Sequence, residues 1–230
     1  MIIMVKNTKK VIIFDFWGTL VDNGVYSPFK QIKEILGLQE MDYSEFVVRF
    51  EKAMMIQRFS ELKEAFERVC AEFEVPPEGA LIANLVGLWN KNWLLAKPYP
   101  ETVEVLAELK KNHKMVLISN TDCFSVEKVL EKFQLLPFFD LVLFSYNEGM
   151  TKTDLRFYEK IFSSLNVMPQ DCIAVGDSIE TDVISAQQAE VDVVLLDRRQ
   201  RREFPLKITT LRELIDDGAR FFGHERHAAD

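Results

Sequence analysis

The sequence predicts an α/β fold: a doubly wound parallel sheet of five strands with an inserted all-helical segment. Three observations lead there. Five short apolar runs, Val11–Phe14, Met115–Ile118, Leu141–Phe144, Cys172–Val175 and Val193–Leu196, read as strands buried on both faces. Amphipathic helical patterns separate the last four runs, and such alternation implies right-handed crossovers. Between the first and second runs, residues 22–97 show no convincing strand.

In chain order, Val11–Phe14 delivers Asp15 to a strand end, where Gly18 turns the chain. Helical segments follow near Phe29–Leu36, Tyr43–Gln57, Glu61–Phe73 and Glu78–Leu94, punctuated at Phe59-Ser60 and at Pro76-Pro77. Such a stretch is too long for one crossover, so residues 22–97 are expected to form a helical cap over the strand tips. Pro98 and Pro100 mark re-entry, leaving residues 1–21 and 98–230 as the core. Val103–Lys110 is amphipathic with a cationic end. Ser125–Phe133 opens on an N-cap serine and repeats Val126, Val129, Leu130 and Phe133 at helical spacing. Leu155–Leu165 and Thr181–Ala189 repeat the pattern, and His224–Asp230 is expected to fray.

Composition bounds the function. The 230 residues are 48% hydrophobic and include 18 Phe, enough for a full core. A net charge of −8 disfavours nucleic acid or an anionic membrane as partner. A small anionic substrate remains compatible, because local cations or a metal can dominate a pocket. Cys70, Cys123 and Cys172 are too few and too scattered for a disulfide framework or a zinc site, and read as buried thiols. Met1–Val5 is too short for a signal segment, and Asn84, Asn90, Lys91 and Asn92 interrupt the apolar stretch Ala80–Ala96. A soluble cytoplasmic protein is the expectation; oligomeric state is left open.

Four stretches carry chemistry. Asp15-Phe16-Trp17-Gly18-Thr19-Leu20 places a carboxylate at a strand tip, as a nucleophile over a phosphate-sized site requires. Ser119-Asn120-Thr121-Asp122 offers a hydroxyl and an amide that could donate to a phosphoryl oxygen, or could equally be turn chemistry. Lys152 stands between the third strand and a helix that Asp154 is placed to cap. In Gly176-Asp177-Ser178-Ile179-Glu180-Thr181-Asp182, two aspartates stand five positions apart at a helix start. With Asp15 on a neighbouring tip, these carboxylates need a cation to be stable together. Hard oxygen donors of this kind suit Mg²⁺.

Four such stretches in this order, with a helical insertion after the first, resemble the motifs of the haloacid dehalogenase superfamily, in its subclass with a helical cap. The resemblance implies a Rossmann-like core and a Mg²⁺-dependent phosphohydrolase acting on a small phosphorylated metabolite. It assigns Asp15 as the nucleophile that becomes an aspartyl-phosphate, Ser119 as the second motif, and Lys152 as the third. Thr153 stands where the family often has proline. Asp15, Asp177, Asp182 and the backbone carbonyl of Trp17 would hold the metal. Asn120 and Thr19, with Arg58 from the cap, are the expected substrate contacts.

Trp17 departs from the pattern, because most phosphatases of the superfamily have there a second Asp, the general acid/base. An indole N–H does not exchange protons at neutral pH. Haloacid dehalogenases have an aromatic Tyr at that position, but they work without metal on carboxylates that Asp177 and Asp182 would repel. Phosphonate-cleaving relatives have Ala and use a cap lysine, a role Lys52 could fill by position. A regulator phosphorylated on Asp15 without turnover is the non-enzymatic alternative.

Overall fold

The computed structural model describes residues 9–223, and both Met1–Val5 and His224–Asp230 lie outside them. Eight strands occur among the described residues: β1 (Val11–Phe14), β2 (Val21–Asp22), β3 (Lys97–Pro98), β4 (Lys114–Ser119), β5 (Leu141–Phe144), β6 (Cys172–Gly176), β7 (Asp192–Leu196) and β8 (Lys207–Ile208). Six of them form one sheet in the order β5-β4-β1-β6-β7-β8, every pair parallel. The five expected strands all appear, and β8 makes a sixth. Its two residues are too few to leave a periodic signal.

Strand alternation explains why the runs are apolar throughout. Ile12, Phe14, Met115, Leu117, Ile173 and Val175 face one side of the sheet and pack with Val105 and Leu106. Val11, Ile13, Val116, Ile118 and Ala174 face the other side and pack with Phe157 and Ile161. Successive side chains point to opposite faces, so a sheet covered on both sides needs apolar residues at every position. The covering helices are α5 (Thr102–Leu109), α6 (Val126–Lys132) and α8 (Leu155–Leu165), with the short α7 (Ser145–Glu148) after β5.

The helices preceding these, α1 (Pro28–Ile35), α2 (Tyr43–Met54), α3 (Leu62–Glu72) and α4 (Gly79–Leu95), are inserted between β2 and β3. Their local signals are legible. Pro28 opens α1, and the Asp42 carboxylate accepts from the Glu45 N–H at the start of α2. Phe46, Phe50, Phe66 and Trp89 form an aromatic cluster separate from the sheet cores. Fully burying each such Phe contributes about 1.5–3 kcal/mol, so the four helices hold together through their own core. The antiparallel pair β2–β3 ties the chain where it leaves and re-enters the sheet layer.

The expected helix at Thr181–Ala189 begins differently. Ile179–Val183 is a π-helical turn leading into α9 (Ile184–Gln188). The wider turn folds Asp182 back, so that its carboxylate accepts from the Ser178 N–H at 2.9 Å. Of the cysteines, Cys70 and Cys172 are buried, whereas Cys123 is half-buried rather than buried; all three are free thiols. No described helix is long and apolar enough to cross a membrane.

Candidate active site

The carboxyl ends of β1, β4 and β6 and the loop after β5 converge beneath the inserted helices, bordering a cavity of about 1110 Å³. Asp15 stands one residue past β1, anchored by its N–H to the Val175 carbonyl at 3.0 Å. Buried Lys152 reaches it from beyond α7, with Nζ donating to Asp15 Oδ1 at 2.6 Å and to Asp182 Oδ1 at 2.5 Å. Burial alone would depress the Lys152 ammonium, but Asp15 and Asp182 raise it well above its ordinary value. The lysine therefore stays charged at any pH at which the protein works.

Asp15, Asp177 and Asp182 each present a carboxylate oxygen within 4.8 Å of the others. Lys152 neutralises two of them. The Asp177 carboxylate accepts no hydrogen bond from any described residue, and burial, then Asp15 and Asp182, push it well above the usual carboxylate range. Three carboxylates sharing one ammonium leave the cluster itself net negative, a donor set that fits a hard divalent cation. Two glycines make the approach possible. A Cβ on Gly18, at φ 83°, would lie 2.5 Å from Asp177 Oδ2, and one on Gly176 would lie 2.4 Å from the Asp182 carboxylate. The Trp17–Gly18 backbone thus packs directly on the acidic cluster.

The remaining sequence candidates divide. Asn120 lies at the cavity, and its amide is fixed at both ends. Its Oδ1 accepts from the Lys152 N–H at 2.9 Å and its Nδ2 donates to Glu51 Oε2 at 2.7 Å. Ser119 ends β4 fully buried behind Asn120, its hydroxyl 3.4 Å from the Asn120 carbonyl. Thr19 is also fully buried, and its hydroxyl finds no partner among the described residues. Trp17 lines the cavity and donates from Nε1 to Thr121 Oγ1 at 3.1 Å. That bond fixes the indole and commits its only proton.

Arg58 is not brought to this cavity. Its guanidinium donates to Asn147 Oδ1 at 2.8 and 3.1 Å and lies 4.8 Å over the Tyr146 ring, so core residues beside the site hold it. Lys52 is exposed on α2. Asn92 is buried and braces the loop after β2 through the Gly24 and Val25 N–H groups. Asp154 caps α8 as its position suggested, accepting from the Arg156 N–H.

Two features at the cavity went unread in the sequence. Glu51 is buried, although it sits in the row Val47, Glu51, Met54 of α2, continued by Met55 just past its end, where a charge breaks an apolar pattern. Burial lifts its carboxyl to about 7, against the downward pull of Lys152 and Asn120. The second feature is the loop after β7. Asp197-Arg198-Arg199-Gln200-Arg201-Arg202 brings four arginines to the cavity wall from a strand tip, the end at which open α/β sheets bind ligands. Arg198 stacks 3.4 Å over Tyr99 and pairs with Glu101, Arg199 lies 5.2 Å over Tyr26, and Arg202 donates to the Asp177 carbonyl.

Known proteins resemble the chain in sequence and in fold. Glyceraldehyde 3-phosphate phosphatase of Methanothermobacter thermautotrophicus is 25% identical over 195 residues, covering 81% of this chain and 85% of its own. The enzyme of the same name from Methanocaldococcus jannaschii is 24% identical over 227 residues, covering 90% and 96%. Among solved structures, the HAD-hydrolase YfnB of Bacillus subtilis, described bound to magnesium, superposes with a TM-score of 0.63 at 15% identity, covering 92% of this chain and 99% of its own. The family model described as haloacid dehalogenase-like hydrolase matches residues 9–190, and the chain belongs to that family.

Proposed function

We propose that the protein is a Mg²⁺-dependent phosphatase that cleaves a small phosphorylated metabolite through an aspartyl-phosphate on Asp15. The observation that carries this reading is the cluster of Asp15, Asp177 and Asp182 with Lys152 among them, at the tips of parallel strands. Asp15 attacks phosphorus. The Lys152 ammonium holds the attacking carboxylate in place and offsets charge growing on the transferring phosphoryl group. Asn120, fixed by the Lys152 N–H, orients the opposite wall. Mg²⁺, held by Asp15, Asp177, Asp182 and the Trp17 carbonyl, would neutralise phosphoryl oxygens as a Lewis acid. The arginines after β7 suit an anionic substrate. The named substrate of the archaeal relatives, glyceraldehyde 3-phosphate, is the first metabolite to assay. A net charge of −8 and free thiols fit a cytoplasmic small-molecule enzyme that does not engage nucleic acid.

The testing experiment is turnover of p-nitrophenyl phosphate with Mg²⁺ and with EDTA. Activity should require the cation, and 2-chloropropionate should release no chloride. Chloride release without metal would instead favour the dehalogenase reading.

Metal binding has its own readout. At 100 times its Kd, Mg²⁺ should stabilise the fold by about 2.7 kcal/mol, seen as a rise in Tm. In Gly176→Ala the added methyl must displace Asp182, so the variant should lose about 1–3 kcal/mol and most of the Mg²⁺-dependent rise. A full rise in that variant would remove Asp182 from the metal site.

A further inference from the structure

The phosphatase reading leaves a proton unassigned. An alkyl leaving group departs as an alkoxide unless an acid meets it, and the water that later attacks phosphorus must lose a proton. Trp17 supplies neither service, because its N–H is bonded to Thr121 and its ring has no basic atom. Lys152 is held charged between two carboxylates and cannot act as a base.

We propose that Glu51, contributed by the inserted helix α2, is the general acid and base of the reaction, in the place of the carboxylate that Trp17 displaces. The inference rests on the phosphatase reading. Its ground is geometric. Glu51 is a buried carboxylate that the inserted helices place at the same cavity as Asp15 and Lys152. One of its oxygens, Oε2, is fixed by the Asn120 amide at 2.7 Å, and that amide is in turn fixed by the Lys152 N–H. The other oxygen, Oε1, has no hydrogen-bond partner among the described residues. A carboxylate tethered at one oxygen and unpaired at the other has an oxygen left over for a substrate atom in the cavity it lines. The titratable groups around it are Lys152, Asp15 and Asp182 from the core and the neutral phenol of Tyr43 from its own helix. With its carboxyl lifted to about 7, the group gives up and takes back a proton near neutral pH.

The proton balance closes. In the first step the Asp15 carboxylate forms a bond to phosphorus, and the bond from phosphorus to the ester oxygen breaks. The Glu51 proton passes to that oxygen, giving alcohol, aspartyl-phosphate and a Glu51 carboxylate. In the second step water attacks phosphorus and gives a proton to Glu51. The bond from phosphorus to Asp15 breaks, which releases phosphate and restores both side chains. Because Glu51 arrives on the inserted helices, the proton relay is complete only while those helices cover the strand tips.

The test compares wild type, Glu51→Gln and Asp15→Asn on p-nitrophenyl phosphate and on glycerol 3-phosphate, reading kcat/KM with Mg²⁺. That parameter reports steps up to the loss of the alcohol. Gln keeps the shape and an oxygen for the Asn120 amide. In Glu51→Gln, kcat/KM for the alkyl ester should fall on the order of 10²–10⁴-fold. The aryl ester, whose leaving group needs no proton, should change little and should show a burst of p-nitrophenolate as the aspartyl-phosphate accumulates. Glu51→Asp, which retains a proton, should recover part of the alkyl activity. Equal losses on both esters, or no loss on either, would overturn the assignment and leave the phosphatase standing. If wild type shows no Asp15-dependent turnover of either ester, the phosphatase reading itself fails and Glu51 has no reaction to serve.

Discussion

Asp15→Asn is expected to lower Mg²⁺-dependent turnover of p-nitrophenyl phosphate on the order of 10⁵–10⁶-fold, the scale on which removing a covalent nucleophile acts. Several features single this residue out. Its backbone is bonded into β6, so the side chain has one origin at the strand tip. Its Oδ1 is held by Lys152 at 2.6 Å. An amide at this position keeps the shape but cannot form the acyl phosphate. The same change relieves repulsion with Asp177 and Asp182, so the variant should be no less stable than wild type in EDTA. A folded, inert Asp15→Asn is therefore the expected result. A folded variant retaining a tenth of the activity would mean that water attacks phosphorus directly.

Lys152→Met should have the largest effect on stability. The substitution leaves Asp15, Asp177 and Asp182 together without their ammonium, and breaking a buried pair by removing one partner costs about 3–5 kcal/mol. For a chain of this length that corresponds to a Tm lower by roughly 10 °C. The sign with pH is specific. In wild type, Asp15 and Asp177 already sit above the usual carboxylate range. Without Lys152 they rise further, so the folded variant binds more protons than the unfolded chain. Its stability then falls as pH rises through the raised values, which makes the deficit larger at pH 8 than at pH 5. Mg²⁺ supplies the missing charge and should restore part of the Tm. Melting curves at the two pH values, with EDTA and with Mg²⁺, check this. An unchanged Tm at pH 8 in EDTA would show that the cluster does not depend on the lysine.

Much of this was legible in sequence because the sheet is covered on both faces. Val11–Phe14 and Leu141–Phe144 must be continuously apolar, and their bounds match the strands found. Strands β2, β3 and β8 were not legible, since two residues carry no period. The π-helical turn at Ile179–Val183, which overlaps the start of the helix expected at Thr181–Ala189, has no sequence mark of its own, because its residues differ in no way from those of a helix start. At the site, Asp15 and Asp177 stand out by their place at strand tips, and Lys152 and Asp182 by their place in the order of motifs. The cap residues do not, because which side of a surface helix meets the core depends on how the insertion docks. Arg58 looked suited to an anion but is held by Asn147 and Tyr146. In the sequence Glu51 is one acidic residue among many, and its burial is what singles it out. Its position in an apolar row of α2 was the signal available.

The proposed reaction puts a covalent phosphoryl group on Asp15. Rapid quenching of the protein during turnover of p-nitrophenyl phosphate, followed by borohydride reduction and peptide mass spectrometry, tests it directly. Reduction of an aspartyl-phosphate yields homoserine, and homoserine is expected at position 15, dependent on both Mg²⁺ and substrate. Continued turnover with Asp15 recovered unmodified, or with the reduced residue at another carboxylate, would contradict it.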